Sequence, residues 1–311
     1  MKVALLFPGQ GSQRAGMGRD LVEGLPAARD LFEQADEILG WPASQTLLGA
    51  SEETLADTRY AQVGLFLVEC ALLEGLNLDV ISPVCAAGHS LGQYAAYYAA
   101  GVLEFAGALR LVEQRAILMA EAAQRNGGGS MAAVLGLSSA GLEKAISGIS
   151  GVVIANHNSP QQQVLSGSRE ALVAATEAAR AAGARRIVPL KVSGAFHSPM
   201  MEHAAAGLSE WLERAGTDFD AARYPVVSNV SAKPLNHPEE LRQDLAAQMS
   251  SPVLWEESIR TMAQLEIGLY LEIGPGDVLS GLVKRTLDMP VTANIDGMQA
   301  LRETVSRWRR F

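Results

Sequence analysis

The sequence predicts an α/β protein in which a mostly parallel sheet is covered by helices on both faces and a smaller unit of different connectivity is inserted. Three observations lead there. Short apolar runs recur along the chain, each followed by glycines and then by helical periodicity. Strand and helix signals alternate, the order that builds a parallel sheet between two helical layers. From residue 131 the order changes to β-α-β-β-α-β.

Taken in order, VALLF at 3–7 has no polar face and so reads as a strand buried on both sides. Helical periodicity follows over 27–39 and 60–75. PVCAAG at 83–88 is the second strand, with helices expected over 91–100 and 105–124. The inserted unit comes next: strand MAAVLGL from 131, helix 139–148, strand VVIANH, strand QQVLSG, helix 169–182 and strand RRIVPLKV. That order is the ferredoxin-like arrangement. RNGGGS at 125–130 and VSGAFHSP at 192–199 are the two crossings, which divides the chain into a large domain of residues 1–128 and 195–311 and a small one of 129–194. A helix over 199–215, the strand YPVVS (224–228), helices over 238–249 and 255–264, the strand LYLEIG (269–274) and a last helix over 298–309 complete the large domain.

Composition narrows the function classes. With 311 residues, 48% hydrophobic and 19% charged, the chain can bury a large core and is not of a disordered type. A net charge of -9 argues against nucleic-acid or anionic-membrane binding, since both need a dominant basic surface. The apolar run before Pro8 is too short for a signal peptide or a membrane span, so the expected location is the cytoplasm. Cys70 and Cys85 have no ligand-like spacing and read as buried small hydrophobes. The five histidines lack any metal-binding pattern, so no metal is expected.

The chemistry concentrates at GHSLG, residues 88–92. A Gly-x-Ser-x-Gly between a strand and a helix is the context of a nucleophile elbow, where small residues let the elements meet and a strained turn exposes the serine hydroxyl. The same pentapeptide can also be an ordinary turn. A serine nucleophile needs a base. His89 adjoins Ser90 but projects elsewhere at a sharp turn, His203 and His237 read as surface residues, and His157 fits either a turn or a pocket. Position favours His197, in the loop returning from the inserted unit. Arg115 shares a helical stripe with Leu111, Leu118 and Met119, so its charge is rooted on an apolar face. It is either a snorkelling or structurally paired arginine, or one reserved for a substrate anion.

Seven motifs stand in an order that resembles the malonyl-CoA:acyl carrier protein transacylases, including the stand-alone acyltransferases of polyketide synthesis. They are FPGQGSQRAGMG (7–18), YAQVGLF (60–66), GHSLG, QRAILM (114–119), SGAFHSPMM (193–201), SSPVLW (250–255) and LEIGPGDVLSGLVKR (271–285). The resemblance covers nearly the whole chain. It implies an α/β-hydrolase-like large domain, a site in the cleft between domains, and a dyad of Ser90 as nucleophile and His197 as base. No acidic third member is implied, because the main-chain carbonyl at Gln248 orients the histidine. It implies an oxyanion hole from the N–H groups of Leu91 and Gln10, where Gly9 and Gly11 let a loop approach closely; alone, PGQG would be an ordinary glycine turn. It further implies Arg115 on the free carboxylate of malonyl, Gln62 among the substrate-binding residues, and Phe196 restricting space beside the central carbon.

One departure stands out. Gln93 occupies a position where such enzymes commonly carry glutamate, which changes the field at a helix start modestly. The expected reaction is ping-pong malonyl transfer from malonyl-CoA to an acyl carrier protein, with no cofactor, by a monomeric enzyme. Two rivals are a hydrolase releasing acyl groups from carrier proteins through the same dyad, and a silent carrier-docking subunit. Lys284, Arg285, Arg185, Arg186 and Lys191 form the basic clusters expected nearest the cleft, against an acidic partner.

Overall fold

The computed structural model describes residues 1–125 and 127–308. Asn126, in the first expected crossing, and residue 309, the expected end of the last helix, lie outside them.

The chain opens with β1 (Val3–Phe7), buried at all five positions, which pairs in parallel with β2 (Pro83–Gly88). Its side chains alternate between two cores, as the two-residue period of a strand requires. Val3, Leu5 and Phe7 face helices Thr58–Glu74, Gly92–Ala99 and Phe105–Arg125, while Ala4 and Leu6 face Trp255, Ile259, Met262 and Leu282. Both faces of the sheet are therefore covered. Burial of each such Leu or Phe contributes about 1.5–3 kcal/mol.

After β2 the chain builds a separate antiparallel sheet. It contains β3 (Ser130–Leu135), helix Ser139–Ile146, β4 (Val152–Ser159), β5 (Gln162–Gly167), helix Arg169–Ala181 and β6 (Arg186–Pro189), with strand order β4-β5-β3-β6. Ser138 and Ser168 cap the two helices, each side chain accepting from a main-chain N–H three residues on. Leu142, Ile146, Leu172 and Ala175 pack the helices onto one face through Ala132, Val134 and Leu165. The other face presents Met131, Ala133 and Val164 to the large sheet.

The chain then returns with β7 (Val226–Val227), parallel to β2, and β8 (Pro234–Leu235), which folds back antiparallel on β7. β9 (Leu269–Ile273) lies on the other side of β1, and β10 (Thr292–Ile295) closes the order β10-β9-β1-β2-β7-β8. All pairs but the last are parallel.

The expected helices are present within a few residues, with some corrections. The helix expected over 199–215 is broken: Ser198 caps a short 3-10 turn, Pro199–Met201, and the α-helix proper begins at Glu202. The strand expected over 224–228 shrinks to two residues, since Pro225 has no N–H to donate. Helices Arg19–Gly24, Ala43–Leu48 and Val278–Thr286, and strand β10, were not expected. The small sheet is also joined by backbone to the segment that precedes helix Trp255–Ala263. The His157 N–H donates to the Val253 carbonyl at 2.9 Å, and the Val253 N–H to the Ala155 carbonyl at 2.8 Å.

Candidate active site

A cleft between the sheets is lined by Gln10, Ser90, Arg115, Phe196, His197 and Asn158 among others. Its floor is the turn at GHSLG. Gly88 and Gly92 are required there by contact: a Cβ on Gly88 would lie 1.9 Å from the Gly92 carbonyl carbon, and one on Gly92 would lie 2.0 Å from the Phe7 oxygen. Squeezed between them, Ser90 takes a left-handed backbone at φ 52°, a strained conformation for a residue with a side chain.

The strain is braced from outside. Asn229, fully buried just past β7, accepts from the Ser90 N–H at 2.7 Å and donates to the Gly88 carbonyl at 2.7 Å, so one amide ties both ends of the turn. Gln248 donates to the Ser90 carbonyl at 2.9 Å. Asn229 was not picked out from the sequence. The available signal was its place directly after a strand in a parallel sheet, where sites collect at the carboxyl ends.

His197 also has a left-handed backbone, at φ 56°, and is 3% exposed. Its Nε2 lies 2.7 Å from the Ser90 hydroxyl, although the residues are far apart in sequence. Its Nδ1 faces two main-chain carbonyls, Gln248 at 3.0 Å and Ser251 at 3.2 Å. A carbonyl only accepts, so Nδ1 carries the proton and Nε2 is left as the acceptor for the serine hydroxyl. Burial, and then the charge of Arg115, push the His197 pKa down to about 3. The imidazole is thus neutral at physiological pH and its free lone pair points at Ser90.

Arg115 is 1% exposed, and among the described residues every hydrogen-bond partner of its guanidinium is a neutral oxygen: Gln62 Oε1 at 2.5 Å, the Ser90 hydroxyl at 2.9 Å and Gln248 Oε1 at 3.2 Å. Tyr94 lies under it, with the ring centre 5.4 Å from Cζ. Among the described residues it joins no ion pair. A desolvated cation without a counter-charge, opening on a cleft beside a serine hydroxyl, is built to receive an anion. Gln62 extends the network, donating to Thr58 Oγ1 at 2.9 Å, which donates to Gln10 Oε1 at 2.8 Å.

The glycine loop after β1 packs directly on the serine turn, where a Cβ at Gly9 would lie 2.3 Å from the His89 carbonyl oxygen. Among the described residues, the main-chain N–H groups of Gln10 and Leu91 have no acceptor. Phe196 is 5% exposed in the cleft wall, its carbonyl accepting from Ser166 at 2.7 Å. The eight residues Ser90, His197, Gln10, Leu91, Arg115, Phe196, Gln62 and Gln248 therefore come together at one place.

The remaining histidines do not join them as partners of Ser90. His89 turns away, with Nε2 2.8 Å from Asn158 Oδ1 and its ring edge-on to Trp255. His157 bonds Ser139, His203 pairs with Arg125 on the surface, and His237 is exposed. Gln93 is fully buried and bonded to Asp244, Tyr97 and Gln248, so its effect is specific bonding rather than a general field at a helix start. Lys284 and Arg285 are exposed on the helix whose first residues, Val278 and Leu279, line the cleft; Arg285 bonds the cleft residue Gln162 at 3.2 Å. Arg185, Arg186 and Lys191 are exposed beside β6. Cys70 and Cys85 are both buried free thiols. Among the described residues no group of acidic, cysteine or histidine side chains could hold a metal ion, and no helix is long and apolar enough to cross a membrane.

Residues 4–308 match the model of the acyl transferase domain family. The chain is 42% identical over 288 residues to the malonyl CoA-acyl carrier protein transacylase of Bacillus subtilis, covering 91% of this chain and 90% of that one. The crystal structure of the Synechocystis malonyl-CoA:ACP transacylase superposes with a TM-score of 0.89 at 41% identity, over 97% of this chain and all of that one. A malonyl-transacylase solved in complex with a type II polyketide acyl-carrier protein superposes with a TM-score of 0.92 at 36% identity, over 99% of this chain and all of that one.

Proposed function

Because this chain belongs to the acyl transferase domain family, as a malonyl-CoA:acyl carrier protein transacylase, we propose that Ser90 carries the malonyl group between the two substrates with His197 as its base. The product serves fatty-acid or polyketide synthesis. His197 Nε2 takes the Ser90 proton as Oγ bonds to the thioester carbonyl carbon. The negative charge that builds on the carbonyl oxygen is met by the N–H groups of Gln10 and Leu91. The C–S bond then breaks, and the proton on Nε2 passes to the departing CoA sulfur. In the second half the phosphopantetheine thiol gives its proton to His197 and attacks the malonyl-serine ester, and Ser90 recovers its proton as it leaves.

One observation carries this reading: Arg115 is a buried cation surrounded only by neutral oxygens, 2.9 Å from the nucleophile's hydroxyl. Malonyl has a second carboxylate to offer it and a neutral acyl chain has none, which favours transfer of malonyl over hydrolysis of acyl carrier proteins. Gln62 and Gln248 hold the guanidinium while Arg115 holds the carboxylate. Phe196 limits the room beside the central carbon of malonyl, a discrimination of about 1–3 kcal/mol per methylene-sized group.

In the same reading the large domain, 1–128 with 195–311, is α/β-hydrolase-like and the small one, 129–194, is ferredoxin-like. The strand order β4-β5-β3-β6 with both helices on one face supports the latter. The enzyme works as a cytoplasmic monomer without cofactor, metal, nucleic acid or membrane. The test is to incubate wild type and Ser90→Ala with malonyl-CoA and weigh the intact proteins. Wild type gains one malonyl group and the variant none; an adduct on the variant would place the nucleophile elsewhere.

A further inference from the structure

Behind the site lies a buried carboxylate that the mechanism above does not use. Asp244 and Gln248 are one turn apart on helix Pro238–Gln248, and Gln93, from the helix that follows Ser90, bridges them. The Gln93 amide nitrogen donates to Asp244 and to the Tyr97 hydroxyl, and its oxygen accepts from Gln248 Nε2 at 2.7 Å. Ser228 donates to the other Asp244 oxygen. Gln93 and Gln248 are fully buried and Asp244 nearly so.

Each link has a direction. A carboxylate only accepts, so the donor end of Gln93 must face Asp244 and its acceptor end must face Gln248. That fixes the Gln248 nitrogen toward Gln93 and the Ser90 carbonyl, and leaves the Gln248 oxygen for Arg115 Nη2 at 3.2 Å. Arginine has no acceptor, so a reversed Gln248 amide would set N–H groups against the guanidinium. The Gln248 carbonyl, on the same residue, holds His197 Nδ1. Burial raises the Asp244 pKa, while the donors Ser228, Gln93 and Tyr97 oppose that rise and favour the charged form.

We propose that Asp244 is a positioning residue whose carboxylate, through the ordered amides of Gln93 and Gln248, sets the polarity of the site so that Arg115 is held ready for the substrate carboxylate. The assignment rests on Ser90, His197 and Arg115 acting as described above. Replacing the carboxylate by an amide, Asp244→Asn, removes the direction of the relay while keeping its shape. Returning a carboxylate one link along, Gln93→Glu/Asp244→Asn, restores an acceptor for Gln248 Nε2 and with it the orientation toward Arg115.

The experiment follows single-turnover acylation of the intact protein by malonyl-CoA and by acetyl-CoA, with melting temperatures in parallel. Asp244→Asn should slow malonyl acylation about tenfold, the loss of one hydrogen bond to a charged group, and reduce the preference for malonyl over acetyl. The double variant should recover most of both. The proposal is overturned if Asp244→Asn keeps wild-type rate and preference, or if the double variant is no better than Asp244→Asn at equal melting temperature. Should Asp244→Asn fail to fold, Gln93→Met breaks the next link, and a folded Gln93→Met enzyme with wild-type rate and preference overturns the proposal equally. Failure of wild type to acylate at all would instead overturn the function on which the proposal rests.

Discussion

Replacing Arg115 by alanine should convert a malonyl-selective enzyme into an indifferent one. Among the described residues the guanidinium makes three hydrogen bonds, all to neutral oxygens, and it is 1% exposed, so its removal strands no opposite charge there. The variant should fold. The loss then falls on the substrate: a hydrogen bond to a charged group contributes about 1.5–3 kcal/mol, which is roughly 10- to 150-fold in kcat/KM for malonyl-CoA. Acetyl-CoA lacks the second carboxylate, and its methyl no longer faces a desolvated cation, so its kcat/KM should hold or rise. The assay is acylation of the intact protein by each thioester separately and in competition, with a melting curve as control. Equal damage to both substrates would mean that Arg115 maintains the Ser90–His197 geometry and does not read the substrate, and the reasoning would fail.

Two further outcomes follow from the site and its rim. With the His197 pKa held near 3 by burial and by the Arg115 charge, the free enzyme keeps a neutral base well below the usual histidine range, so kcat/KM should not fall between about pH 7 and pH 5. Removing the cation favours the imidazolium, so in Arg115→Ala, followed with acetyl-CoA, the acid limb should move to higher pH; a limb that stays or moves down refutes the coupling. Reversing Lys284 and Arg285, or Arg185 and Arg186, to glutamate should raise the KM for the carrier protein and leave acylation by malonyl-CoA intact. The wild-type preference should weaken as salt screens the encounter. Indifference to both the reversals and salt would move docking elsewhere.

What the sequence disclosed depended on how local each signal was. VALLF is apolar at every position because both faces of β1 are covered, and GHSLG carries its own reason for being a turn, since its glycines touch across the chain. Helix Val278–Thr286 was hidden behind GPGD and has Gly281 within it, while β10 is only half buried, so neither offered a clear period. His197 was favoured by position, but that its Nδ1 rests on the carbonyl of Gln248 followed only from a whole-chain resemblance, and the second carbonyl, of Ser251, is visible only in the structure. Asn229 is legible only through its place after a strand of the parallel sheet, and Asp244 not at all. An amide or a carboxylate takes its meaning from its neighbours, and here these come from the serine turn and Gln93, more than a hundred residues away.

The backbone bridge between β4 and Val253 bears on how such an enzyme can be recombined. Residues 129–194, the small domain proposed above, look like a cassette entered and left at neighbouring points, since a Cβ on Gly129 would lie 2.5 Å from the Ala195 nitrogen. Yet β4 shares main-chain hydrogen bonds with the segment that carries Gln248, Met249 and Ser251, and those carbonyls hold the His197 ring and its backbone. A chimera that exchanges only the small domain would seat a foreign strand against this segment and disturb the base even though Ser90, His197 and Arg115 stay in place. Residues 248–255 belong with the small domain as its counterpart, and a functional graft has to move the two together.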